Sequence, residues 1–256
     1  MSSRGVSLDD KYQAETRRVL LNGIEALVRL PLDQVREDRR NGLGTSGFIS
    51  GYRGSPLGGY DQRLMNAKAL LDAHSVRFQP GLNEDLAATA VWGTQQVNLH
   101  PGAKADGVFG IWYGKAPGVD RCGDVFKHAN MTGTARKGGV LAIAGDDPLA
   151  KSSSLPSQSE FALIDAEMPV LTPADIQDVL DLGLHGLAMS RYAGLWTGLI
   201  ALADLMDGSA TINVDPRRLS IELPLGDNTP RHISLDALQV PNRITLEEML
   251  RLRRLP

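Results

Sequence analysis

Four short segments concentrate the residues able to do chemistry. In residues 80–90 (PGLNEDLAATA), Glu84 and Asp85 stand side by side at what reads as the first turn of a helix. Acids suit that position because the free N–H groups of a helix N-terminus carry partial positive charge. A carboxylate that instead faced a dry ligand edge would serve as an acid–base group. The residues alone leave both readings open. Asn83 reads as the N-cap of this helix, its side chain accepting from the first free backbone N–H groups.

In residues 51–61 (GYRGSPLGGYD), Arg53 and Ser55 are the strong polar tools of a glycine-dense loop. The loop matches neither G-x-x-x-x-G-K-[ST] nor G-x-G-x-x-G, so a phosphate cradle is poorly supported. A binding loop and a plain glycine turn stand about even. In residues 115–130 (KAPGVDRCGDVFKHAN), Lys115, Arg121, Lys127 and His128 surround Asp120 and Asp124. That set suits local ion pairing or recognition of a substrate carboxylate, and exposed pairing adds little stability. In residues 145–160 (GDDPLAKSSSLPSQSE), paired acids precede a serine-rich stretch that could hold a metal or phosphate or be a solvated loop. Asp146 and Asp147 are neighbours, so on extended backbone they point to opposite sides and cannot form one acid–base pair.

Several chemistries are excluded. The one cysteine, Cys122, rules out a disulfide framework and a cysteine-built iron–sulfur or zinc site within this chain. It reads as a small buried residue rather than a nucleophile. No metal-ligand spacing of His and Cys occurs and no G-x-S-x-G elbow is present, so no metal site is expected here. The formal net charge is −3 with no long basic block, which gives nucleic acid or an anionic membrane no electrostatic footprint. No window is apolar enough to span a bilayer, and the start MSSRGVSLDD has no apolar signal core, so a soluble cytoplasmic protein is expected.

The elements that must position these loops show a clear rhythm. Hydrophobic residues make up 42% of the 256, enough for a packed core. Short apolar runs at 47–51, 76–79, 107–113, 139–144, 169–171 and 195–202 alternate with amphipathic stretches at 61–73, 84–99, 124–136 and 175–189. Apolar strands alternating with helices predict an α/β fold: a mostly parallel sheet of about six strands, with helices on both faces. Ligands of such sheets sit beyond the C-terminal strand ends, where all four loops fall. Earlier in the chain, one helix is expected around Thr16–Arg29. After Gly208 the pattern fades among prolines 216, 224, 230 and 241, leaving a helix over Thr245–Leu255.

Taken together and in order, these segments resemble the 2-oxoacid:ferredoxin oxidoreductases. GYRGSPLGGYD is similar to the segment carrying their "Y-P-x-[TS]-P" motif, and PGLNEDLAATAVWGTQ to their "N-E-x-x-A" helix. GVFGIWYGKAPGVDRCGDVFKHANMTGT and GGVLAIAGDDPLAKSSSLPSQSE resemble the next two strand–loop units of the indolepyruvate type, the "GDDP…SSS.P.QSE" run being the most specific. The resemblance covers Phe48–Leu202.

It implies a thiamine-diphosphate pyrimidine-binding domain over 47–207, an N-terminal extension with one helix over 1–46, and an extended connector over 208–256 toward a downstream domain. It implies decarboxylation of a 2-oxoacid (an aryl pyruvate for the indolepyruvate type) with electrons passed to ferredoxin and acyl transfer to coenzyme A. Glu84 then hydrogen-bonds the aminopyrimidine ring and so promotes proton removal from the thiazolium. Ser55, Pro56, Asn83 and Glu84 contact the cofactor. Arg53, Ser55, Lys115 and Arg121 are the substrate-side residues.

Arg53-Gly54 departs from the usual "Y-P-x" start. The "G-D-G…N" segment that holds the diphosphate through Mg²⁺ is absent, as are the clustered cysteines. The chain alone is therefore expected to be inactive. Its expected partners are a diphosphate-binding domain or subunit, which would carry Mg²⁺ and the iron–sulfur clusters, and further copies of itself. A truncated, non-catalytic partner-binding domain and a nucleotide-binding module of the same fold are the competing expectations.

Overall fold

The computed structural model describes residues 7–151, 153–224, 229–239 and 243–256. Ser152 of the serine-rich run, Pro241 and the first six residues lie outside the described residues.

The chain opens with α1 (Asp10–Gln13), β1 (Arg18–Asn22) and α2 (Gly23–Arg40). Then follow β2 (Ser46–Gly51), α3 (Tyr60–Asn66), α4 (Lys68–Ala73), β3 (Val76–Phe78), α5 (Glu84–Thr94) and β4 (Val108–Lys115). The second half carries α6 (Ala116–Arg121), α7 (Gly123–Thr132), β5 (Val140–Asp146), α8 (Glu160–Asp165), β6 (Val170–Leu171), α9 (Ile176–Ala193) and β7 (Trp196–Leu202). It closes with α10 (Ala203–Asp207), β8 (Ser209–Asn213), α11 (Leu235–Leu238) and α12 (Arg243–Met249), the last continued by a π-helical turn, Leu250–Arg254.

Six strands form one sheet in the order β3-β2-β4-β5-β7-β6, every pair parallel. The six apolar runs of the sequence are these six strands. Side chains alternate across the sheet because strand periodicity is two. Phe109, Ile111 and Tyr113 of β4 join Leu141 and Ile143 of β5 in a core under α2, α3, α4 and α9. Trp112, Val140, Ala142 and Ala144 enter a second core under α5, α6, α7 and α8. Both faces are covered, as an all-parallel sheet requires. No helix among the described residues is long and apolar enough to cross a membrane.

Three local readings change. The stretch expected as a helix around Thr16–Arg29 is a strand followed by a longer helix. Arg18–Asn22 alternates exposed and buried and pairs antiparallel with Ser209–Asn213, so Leu20, an apolar position of the expected helix, is exposed. The helix begins only at Gly23, where Asn22 and Glu25 form a reciprocal capping box. It then runs through Pro31 to Arg40 and packs within the main core. Pro31 has no N–H for the Leu27 carbonyl one turn back; the Tyr60 hydroxyl donates to that carbonyl instead, at 3.3 Å.

The second change is in the 115–130 segment, where a loop was expected before a helix at 124. Residues 116–121 are already helical, started by an extended Lys115 with proline in the first turn. The third is the tail. It supplies β8, and its last helix buries Leu246 and Met249 against Ala237 and Met131.

Candidate functional site

Because the six strands are parallel, their C-terminal ends share one edge, and the segments after β2, β3, β4 and β5 meet there. Gly81 N–H donates to the Gly51 carbonyl at 2.9 Å, and Tyr52 N–H to the Tyr113 carbonyl at 3.1 Å. These bonds tie the ends of β2, β3 and β4 together. The Ser55–Pro56 peptide is cis. Pro56 and Leu57 are buried, both seated on Gly145 at the end of β5. Lys115 ends β4 half-buried, its aliphatic stem lying across Gly54.

Glu84 is a buried acid of this edge, as are Asp146 and Asp147 at the end of β5. Asn83 caps α5 by accepting from Leu86 N–H at 2.8 Å, which sets Glu84 as the first helical residue. The Trp112 indole N–H donates to the Glu84 carbonyl at 3.0 Å, anchoring that turn to β4. Trp112 is itself held edge-on by Phe126, with ring centroids 5.0 Å apart. The Glu84 stem lies against the backbone of α6: a Cβ on Gly118 would stand 2.5 Å from Glu84 Cγ and 3.0 Å from Oε1. The side chain is 7% exposed, and Oε2 lies 3.3 Å from Arg121 Nη1, whose own side chain is 67% exposed. Among the described residues, Arg121 is the one hydrogen-bonding or ion-pairing partner of this carboxylate.

The other sequence candidates fall into place around it. Arg53 is exposed and Ser55 half-buried on the β2 loop. Lys115 and Arg121, grouped in the sequence as one cationic set, separate: one reaches over the β2 loop and the other caps Glu84. Lys127 pairs with Asp165 at 2.6 Å, both well exposed, and the His128 ring contacts the Asp124 carbonyl one turn back. These two therefore belong to local surface pairing. Cys122 is fully buried, and its thiol is pushed well above its ordinary range by burial first and then by the Asp85 and Glu84 carboxylates. A thiol so held is not a nucleophile.

On the β5 loop, Asp146 accepts from Ser159 N–H at 2.7 Å and from the Ser159 hydroxyl at 2.6 Å. Burial raises its carboxyl above the usual range against those two hydrogen bonds, and the nearby Glu160 and Asp120 charges add to the rise. The two neighbouring acids make different contacts with the serine-rich loop. Asp146 reaches Ser159, while Asp147 N–H donates to Ser157 Oγ at 2.8 Å. Asp146 thus pins the serine-rich loop.

Two contacts that hold Glu84 escaped the sequence. Trp112 appeared only as an apolar strand residue, and Gly118 has no side chain to form a pattern. A glycine inside a helical stretch is the one signal that could have drawn notice to it. Among the described residues, no three His, Cys, Asp or Glu side chains converge as a metal set.

No protein-family model matches this chain, and no curated protein matches it. Among solved structures it is similar to the 2-oxoglutarate:ferredoxin oxidoreductase from Magnetococcus marinus, solved with 2-oxoglutarate, coenzyme A and succinyl-CoA bound. The TM-score is 0.61 at 17% sequence identity, over 89% of this chain and 39% of that one. The likeness is one of fold, and the chain spans well under half the length of that relative.

Proposed function

We propose that this chain is the pyrimidine-binding domain of a thiamine-diphosphate-dependent 2-oxoacid:ferredoxin oxidoreductase of the indolepyruvate type. Residues 47–207 are its body, with α2 built into the same core. Glu84 is the carboxylate that meets the cofactor's aminopyrimidine ring. One observation carries the reading: a buried glutamate at the C-terminal edge of a parallel sheet, whose single partner among the described residues is an exposed, displaceable arginine. The shared fold and the ordered sequence motifs support it.

The residues present fit the group. The Glu84 stem has little freedom between Gly118 and the Trp112 anchor, so its carboxylate is pre-positioned. A ring N–H in place of the Arg121 guanidinium would keep the carboxylate hydrogen-bonded in a site largely shielded from water. When bound, thiamine diphosphate supplies the electron sink for decarboxylation. Glu84 holds or takes the proton at the ring nitrogen. Asn83 keeps the helix start in register, and Ser55 and Pro56 form the cofactor-side wall. Arg53, Lys115 and a displaced Arg121 offer positive charge to the carboxylate of a 2-oxoacid, an aryl pyruvate in this reading. The diphosphate with its Mg²⁺, the iron–sulfur clusters, and the ferredoxin and coenzyme A contacts belong to a facing domain or subunit. The isolated chain is then inactive, self-associating and cytoplasmic.

The test is hydrogen–deuterium exchange at the thiazolium C2 in the assembled enzyme. Glu84→Ala is expected to slow it by about 10²-fold or more, the usual contribution of a positioned acid–base group. Unchanged exchange sinks the assignment. One observation favours a second reading, a non-catalytic module that only binds partners: Glu84 is already neutralised by Arg121, as in a structural ion pair. Failure of the assembled wild-type protein to bind thiamine diphosphate with Mg²⁺ in calorimetry would favour that module.

A further inference from the structure

A cavity of about 620 Å³ opens at the edge where the strands begin, opposite the edge that carries Glu84. Its floor is the C-terminal half of α2 and the outer side of α9, and its lid is the segment around 214–223 and 229–232. We propose that this cavity binds a small organic anion with an apolar body, such as a hydrophobic monocarboxylate. The inference does not depend on the role of Glu84.

Its size falls within the range of about 300–1,000 Å³ usual for small-molecule sites. The floor is rigid and its acids are spent. The Asp38 carboxylate takes both Arg191 Nη atoms, at 2.6 and 2.8 Å, together with the Thr45 hydroxyl and the Gln34 amide. Asp33 is held by Arg29 at 2.9 Å and Arg36 at 2.8 Å. Carboxylates so committed do not attract a cation. Arg36, Arg40 and Arg191 are taken up by the lining acids Glu15, Asp33, Glu37 and Asp38, while Lys137 pairs with Asp106 and Arg218 with Asp181, so the excess of positive charge open to a ligand narrows to one corner.

That excess has a focus. Arg136 lines the cavity and makes no ion pair or hydrogen bond among the described residues. His232 stands beside it, its Nδ1 buried without a well-formed hydrogen bond. Burial and the adjacent Arg136 charge lower the imidazole pKa to about 4, so near pH 7 the ring is neutral and Arg136 supplies the charge of this corner. Away from this corner the walls are apolar: Leu184 and Ala188 on α9 face Leu219, Ile221 and Leu223 of the lid. A charged corner beside two apolar walls selects an amphipathic anion over a nucleotide or a bare phosphate.

The probe is anilinonaphthalene sulfonate, an apolar anion that fluoresces on burial, titrated into the full chain. One saturable site is expected. Arg136→Ala, which removes no hydrogen bond or ion pair among the described residues, is expected to weaken it by about tenfold, the cost of one charge-assisted contact. Ala188→Trp, which puts an indole between the two apolar walls, is expected to abolish it, and Glu84→Gln to leave it unchanged. The uncharged analogue N-phenylnaphthylamine is expected to bind more weakly and to ignore Arg136→Ala. Absence of a saturable wild-type site, equal affinity of Arg136→Ala and wild type for the sulfonate, or weakening by Glu84→Gln would each overturn the proposal.

Discussion

Glu84 and Gly118 form a matched pair, and the pair shows how little room the carboxylate has. A methyl group at Gly118 would meet Glu84 Cγ well inside contact distance, and neither the α6 backbone nor the capped start of α5 gives way easily. Gly118→Ala is expected to cost about 1–3 kcal/mol by overpacking, read as a lower urea midpoint. Arg121 is the opposite case. Its side chain is mostly exposed, yet its loss leaves the buried Glu84 carboxylate without a partner among the described residues, so Arg121→Ala is expected to cost about 1–3 kcal/mol in the same titration. A larger loss would mean the guanidinium is structural rather than displaceable. Glu84 itself was visible in the sequence as a helix-start acid after a capping asparagine. Gly118 and Trp112 were not, because their contributions are an absence of atoms and an indole N–H that only the β4–α5 contact brings to a carbonyl.

Helix α2 shows why an element can be misread. Its amphipathic stripe is interrupted by Arg29, Asp33, Arg36 and Asp38, all buried, and by Pro31. Such a pattern reads as exposed and broken. The charges are internal because each finds its counter-charge or a carbonyl: Arg29 and Arg36 bond the Lys11, Ala14 and Tyr12 carbonyls as well as Asp33. The bidentate Asp38–Arg191 pair then clamps α2 to α9. Asp38→Ala is expected to cost about 3–5 kcal/mol, because it strands a part-buried guanidinium rather than merely deleting a bond. Chemical denaturation with an unchanged slope would register it; a loss under about 1 kcal/mol would mean that water replaces the carboxylate.

At the scale of the whole molecule, the tail is docked rather than trailing. Arg254 donates to the Asn130, Met131 and Thr132 carbonyls at the end of α7 and to the Arg231 carbonyl. Positive charge is favoured at that helix end. Burial lowers its pKa to about 10, still far above neutrality. The same docking encloses His232, whose pKa falls to about 4 by burial first and then by Arg136 and Arg254, against a smaller pull from the Thr134 backbone. Between its ordinary value of 6.5 and about 4 the unfolded chain binds this proton and the folded chain does not. The contribution of neutral His232 is therefore complete above pH 6.5 and is lost as pH falls from 6.5 to about 4. The loss is expected to reach roughly 2 kcal/mol after allowing for the ring's partial exposure. A His232→Asn variant should show a flatter stability profile in that window, measured by thermal melts at stepped pH.

The sequence by itself determined the alternation of six apolar strands with amphipathic helices, and from it the parallel sheet, both covered faces and the edge where the loops gather. Those features depend on periodicity, which is local and written in residue order. Tertiary structure alone decided the strand order 3-2-4-5-7-6 and the pairing of β1 with β8 across almost the whole chain. It also decided that the third loop is a helix, and that Arg121 turns onto Glu84 while Lys115 crosses Gly54. These depend on contacts between residues distant in sequence. No spacing rule shows which buried charge will find which partner, because the energy that decides it is gained only when both are removed from water together.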